Sequence, residues 1–169
     1  MPPALRYSHN ATGVRAAPTS PDWVEAERHL SDGSTTAPAT IAAAMRAAAV
    51  RATIAVGLGA IAVIHAVDSV GKWTEVRYMF WLYMALIAAS VVTAAAVLFH
   101  RSRTALLAAA ALAASVIAAF VLDRTVGLPN ATADIGNWLE PLGLASLVVE
   151  GFVVAVGVGG FLAAARGSR

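Results

Sequence analysis

Four apolar stretches, at about residues 51–70, 78–99, 104–122 and 141–165, leave this chain little choice of fold. Each is close to the roughly 20 residues that an α-helix needs to cross the hydrocarbon core of a bilayer. A segment in lipid must satisfy its backbone polar groups internally, so runs of this length imply helices rather than irregular chain. Composition agrees, since 59% of the residues are hydrophobic, 13% are charged and the mean hydropathy is +0.70. Such values lie outside the soluble globular range. The expected fold is all-α, a transmembrane four-helix bundle of up-down connectivity preceded by a disordered cytoplasmic tail.

The tail is expected over residues 1–40, with the membrane domain over 41–169. Pro2, Pro3, Pro18, Pro21 and Pro38, charges of both signs and the tract SDGSTTAPAT give this region no sustained apolar period. Within it PDWVEAERHL has the make-up of a short amphipathic helix with Asp22 as cap. An apolar run that starts only after about forty residues is not the core of a signal peptide, so no cleavage is expected.

The short connections set the topology. GKWTEVR is expected to join the first two spans and HRSR the next two; short links favour antiparallel neighbours, with the first and last helices able to touch. Arg46, Arg51, Arg101, Arg103, Arg166 and Arg169 fall at one end of the spans. Lys72, Arg77 and Arg124 at the other are mixed with Asp68, Glu75, Asp123, Asp134 and Glu140. The positive-inside rule then places both termini in the cytoplasm of a multi-pass protein of the bacterial plasma (inner) membrane. Trp73, Tyr78, Trp81 and Tyr83 are expected as an aromatic belt at the outer boundary. Gly151, Ala155 and Gly159 recur every fourth residue and make a smooth helix face, expected to pack inside the monomer rather than form a homodimer seam.

Ionisable groups inside a span are costly and therefore candidates for function. His65 is expected roughly 8 Å below the outer surface, with Asp68 one turn outward on the same face, and Glu150 roughly 13 Å deep in the fourth span. Contact between the first and fourth helices would bring these three together. They could ligate a divalent metal, relay protons, or form a buried hydrogen bond that fixes helix register. Asp123, Arg124 and Glu140 bracket the outer loop and read as an ion-paired clamp, with Arg124 facing Glu140 or Asp68 and Glu140 at the positive end of the fourth helix. Gly127-Leu128-Pro129-Asn130 is a turn signal, and Ile135 and Trp138 can enter the interface.

Other chemistries find no support. With no cysteine there is no disulfide, thiolate metal site, iron–sulfur cluster or Cys nucleophile. Neither a phosphate-binding glycine loop nor a Ser/His/Asp arrangement is visible. His65 and His100 belong to opposite leaflets, which disfavours haem held by two histidines. No cofactor is assigned, and no nucleic-acid partner is expected.

The segments IHAVDSVGKW, DRTVGLP and LEPLGLASLVVE resemble those of a group of uncharacterised small four-helix integral membrane proteins of actinobacteria. In that group an R-T-x-G-L-P turn precedes an E-P/A-x-G-L-A helix start, matched here by Arg124 to Pro129 and by Glu140 to Ala145. The likeness covers roughly residues 50–160. It implies the fold and a plasma-membrane setting, and brings no activity with it. The function expected is non-enzymatic, an accessory subunit of a larger complex with the bilayer, other subunits or a second copy as partners. The alternative is a small proton or divalent-metal carrier or sensor using His65, Asp68 and Glu150.

Overall fold

The computed structural model describes the backbone of residues 22–167 and the side chains of 23, 24 and 38–167. It is all-α, with helices α1 (Asp22–Glu75), α2 (Arg77–Phe99), α3 (Arg103–Thr125) and α4 (Pro141–Arg166) and a 3-10 turn at Thr132–Asp134. All four helices, α1 from Pro38 onward, are long and apolar enough to cross a membrane. Ala43–Arg169 forms one compact unit.

The first 21 residues of the expected tail lie outside the described residues. From Asp22 the backbone is already helical, so residues 22–40 are helix where composition reads as loose chain. α1 also outlasts its expected span, because GKWTE continues it as far as Glu75. Lys72 pairs with Glu75 at 3.2 Å and the Thr74 hydroxyl donates to Gly71 O at 3.0 Å, so the polar side chains support the last turn instead of ending it. Val76 alone then separates α1 from α2.

Helix pairing follows from side-chain contacts at both ends of the unit. A Cβ on Gly57 of α1 would lie 2.5 Å from Val153 Cγ2 of α4, and one on Gly160 of α4 would lie 3.0 Å from Val50 Cγ1 of α1. As one chain advances the other returns, so α1 and α4 are antiparallel neighbours. Gly143 against Phe120 and Gly157 against Ala110 give α3 and α4 the same relation. Arg51 of α1 donates to Val97 O at 3.2 Å and to Arg101 O at 2.7 Å, closing the end of α2. Arg51 and Arg101 are thus at one end, as the charge pattern requires, while Lys72, Arg124, Asp134 and Glu140 meet at the other.

The core occupies the half of the unit near Arg51. Ile54, Leu58 and Ile61 of α1, Val97 of α2, Ala105, Leu106, Ala109 and Ala113 of α3, and Val153 of α4 are buried together. On α1 the stripe Ile54, Leu58, Ile61 continues at helical spacing to His65, and on α4 Gly157 and Val153 continue to Glu150 and Ser146. Each stripe therefore turns from apolar to polar toward the same end.

The small residues of α4 that recur every fourth position do not form the expected packing face inside the monomer. Gly151, Ala155 and Gly159 are exposed, and a Cβ on Gly151 or Gly159 would meet nothing within 4 Å. Gly157 and Gly160 make the close approaches instead, four and seven residues from Val153, because the inward face is set by Val153 and Glu150 rather than by the small-residue repeat. Packing inside the monomer does not use the repeat.

Replacing Gly57 by Val forces bulk against fully buried Val153 and is expected to cost about 1–3 kcal/mol in a reversible unfolding titration in detergent. Gly59→Ala, which enters open space, should leave stability unchanged or slightly raised. Equal effects of the two substitutions would contradict the α1–α4 contact.

Candidate functional site

α1, α2, α3 and α4 enclose a cavity of about 100 Å³ at the end opposite the apolar core, and the loop before α4 borders it. Its polar walls are His65 and Asp68 from α1, Tyr83 from α2, Asp123 and Arg124 from α3, and Glu140, Ser146 and Glu150 from the α4 side. Four carboxyl groups face one guanidinium. A cavity of this size has room for several water molecules or one small solute, which the polar groups on its otherwise apolar walls can bind.

Arg124 organises the mouth. Its guanidinium lies 2.9 Å from Asp134, 3.2 Å from Asp123 and 3.6 Å from Glu140, and its plane sits 5.0 Å from the Phe120 ring. The side chain is only 8% exposed, so a fork of donors shared among three acids offsets its desolvation. Its backbone takes part as well, since Arg124 O accepts the Gly136 N–H at 2.9 Å. The expected clamp of Asp123, Arg124 and Glu140 is therefore seen in the ion pairs, with Asp134 added, and Arg124 turns to Glu140 rather than Asp68.

Glu140 has a second task. Its two carboxylate oxygens accept from Leu142 N at 3.1 Å and Gly143 N at 2.7 Å, which satisfies the first-turn amides that follow the N-terminal Pro141 of α4. Gly143 is required because a Cβ there would lie 2.5 Å from Phe120 Cε2 and 2.8 Å from Glu140 Oε2. The loop leaves α3 through Gly127 at φ 78°, whose N–H reaches Leu122 O at 3.1 Å. Only a residue tolerant of the left-handed region ends a helix in this way. Asn130 follows with φ 59°, and the Tyr78 hydroxyl donates to Pro129 O at 2.6 Å, tying the loop to α2.

Deeper in, three local hydrogen bonds set the geometry. His65 Nδ1 lies 2.9 Å from Ile61 O on its own helix. A carbonyl only accepts, so Nδ1 is the donor in this bond, and in the neutral ring Nε2 is the acceptor. The Tyr83 hydroxyl donates to Asp68 Oδ2 at 2.8 Å, with the Tyr83 ring edge-on to His65 at 5.2 Å. Ser146 donates to Glu150 Oε1 at 2.5 Å, one turn away on α4. Glu150 is completely buried, yet its Oε2 has no protein partner.

His65, Asp68 and Glu150 thus line one cavity, as their depths in the spans suggest. They do not make a metal cage: no group of three His, Cys, Asp or Glu side chains among the described residues could hold a metal ion. The reason is local, because His65 is turned back on α1, Asp68 toward α2 and Glu150 along α4.

Two participants were not anticipated. Tyr83 is not part of the aromatic belt; it faces inward to Asp68, while Trp73, Phe80 and Trp81 pack edge-to-face at ring distances of 5.0, 6.4 and 5.4 Å. Its signal is the spacing Met79, Tyr83, Leu86, Ser90, Val97, a helical stripe with buried Met79, Ser90 and Val97. Ser146 is marked by S-x-x-x-E, the one-turn spacing at which a hydroxyl meets a carboxyl on one helix. Comparison with protein-family models, curated proteins and solved structures finds no match for the chain.

Arg124→Met should destabilise the protein by roughly 2–3 kcal/mol. This is somewhat below the usual loss for breaking a buried ion pair, because Asp134 and Glu140 keep part of their hydration. Unfolding titrations of the two proteins measure it, and a variant as stable as the parent would show that the ion pairs do not hold the loop.

Proposed function

We propose that the chain is a non-enzymatic, multi-pass plasma-membrane protein, an up-down four-helix bundle with both termini cytoplasmic, whose outer cavity receives a small cation or proton from outside. The plasma-membrane setting rests on the likeness to small four-helix actinobacterial proteins and on the distribution of arginines. The observation that carries the receptor reading is Glu150, a completely buried carboxyl with one oxygen unpartnered in a wall that holds four acids and one arginine. Such a group in a membrane span is costly unless something uses it.

The cavity has one end. Beyond Glu150 toward the arginine-rich side the bundle is filled by Val153, Ile61, Leu58, Ile54 and the alanines of α3. A charged solute gains nothing from that apolar region and would lose its hydration there. Reception at the outer side, a sensor's task, therefore fits the packing better than passage across the membrane. A binding role is favoured over catalysis by the hydrogen-bond directions. The Ser146 proton goes to Glu150 and the His65 Nδ1 proton to Ile61 O, so no histidine activates the serine.

A second reading, accessory subunit of a larger complex, is favoured by the exposed repeat Gly151, Ala155, Gly159. That face lets a neighbouring helix approach closely. The two readings are compatible, since the repeat and the cavity lie on different faces of α4.

The absence of native cysteine gives a clean test. In vesicles, Ser146→Cys should react with a cationic ethylammonium methanethiosulfonate from the outer side only, and faster than with the anionic ethylsulfonate reagent after correction for free-thiol reactivity. Val153→Cys should react with neither reagent from either side. Leu142→Cys, which lies at the exposed rim of the cavity, provides the same comparison where Ser146→Cys fails to fold. Reaction from the side of the termini, or a preference for the anion, would contradict the proposal.

A further inference from the structure

The hydrogen-bonding inventory of the cavity narrows what it can receive. Its deep end offers acceptors. Glu150 Oε2 is unpartnered and completely buried, and His65, buried with its Nδ1 proton donated to Ile61 O, presents Nε2 as an acceptor when its ring is neutral. Asp68 has one oxygen held by Tyr83 and the other without a hydrogen-bond donor. The hydroxyls nearby are already committed as donors, Ser146 to Glu150 and Tyr83 to Asp68. A ligand matched to this end must therefore bring hydrogen-bond donors, carry positive charge and be small.

From the acceptor-lined deep end and the volume of about 100 Å³, we infer that the cavity binds a primary ammonium group, R–NH3+ with R no larger than one or two carbons inside the cavity, or ammonium itself. The inference rests on the reading of the cavity as an outward-facing cation site. Three N–H donors on one cationic nitrogen suit separated acceptors from α1 and α4, and each bond to a carboxylate is charge-assisted. A bare alkali ion instead is held by a shell of several oxygens that replace its hydration, whereas the acceptors at this end are few and include the His65 nitrogen. A quaternary ammonium has no N–H to give. The same chemistry has two sources, a free short amine or the headgroup of an aminophospholipid whose ammonium reaches in past Leu142 and Leu128 at the rim.

Line broadening of 13C-methylammonium measures binding to the full chain in nanodiscs of phosphatidylcholine and phosphatidylglycerol. The wild-type protein should broaden the signal saturably, with neither tetramethylammonium nor sodium displacing it at equal concentration. That comparison needs no variant. Glu150→Gln should weaken binding about tenfold or more, as loss of a charge-assisted hydrogen bond requires, and Glu150→Asp should restore part of it. Discs containing phosphatidylethanolamine identify the source: competition with methylammonium supports the lipid headgroup as occupant, and unchanged binding supports a free amine. Absence of saturable broadening, or displacement by sodium as effective as by methylammonium, overturns the ligand class. If the Ser146→Cys probe still prefers the cationic reagent, the outward cation site stands and only the primary-ammonium inference falls; if that preference is also lost, both fall.

Discussion

The placement of Arg124 underlies the polar half of this molecule. One guanidinium at the end of α3 meets an acid of its own helix, one from the 3-10 turn and the cap of α4. Those contacts decide where the loop lies and the angle at which α4 enters the bundle. The entry of α4 in turn sets the position of Ser146 and Glu150 opposite α1. Lipid would make a lone arginine here expensive, and the three acids are what let it remain buried. The clamp costs little flexibility elsewhere because Gly127 and Asn130 supply the left-handed turns the path needs.

A four-helix unit with apolar residues on all faces cannot use amphipathicity to choose an inner surface, since lipid and core are equally apolar. Close approach at particular small residues decides it instead. Gly57 admits Val153, Gly157 admits Ala110 and Gly143 admits Phe120, and these three contacts set the rotation of α4 relative to α1 and α3. The rotation has a functional consequence. It turns Val153 and Glu150 inward together, so that the packed half and the polar half share the same stripes and the cavity ends where Val153 and Ile61 begin.

The sequence makes the four helices legible, because length and apolarity alone determine a span: α2, α3 and α4 begin and end within a few residues of the expected bounds, whereas α1 begins far earlier, at Asp22. The end of α1 was less legible: GKWTE reads as a loop from its polarity, yet Lys72 and Glu75 are spaced to pair on a helix. Much of the site could also be read. His65, Asp68 and Glu150 stand out as ionisable groups within apolar runs, and Arg124 and Glu140 as charges at helix ends. Tyr83 could not be separated from its neighbours Tyr78 and Trp81 without knowing which face of α2 turns inward. The Gly151, Ala155, Gly159 repeat misled for the same reason. Rotation about the helix axis is weakly encoded when every face is apolar, and it is also what decides whether acids that share a cavity can share a ligand.

The proposal depends on water reaching Glu150, in the middle of an apolar helix and buried among its neighbours, while Val153, less than one turn away, stays dry. Water-edited solid-state NMR of the protein in lipid bilayers measures this directly, through the rate at which magnetisation passes from water to each site. The predicted result is a build-up at the Glu150 carboxyl comparable with that of Glu140 at the cavity mouth, and a much slower one at the Val153 methyls. A Glu150 signal as slow as that of Val153 would place the carboxyl in a dry core and contradict the account.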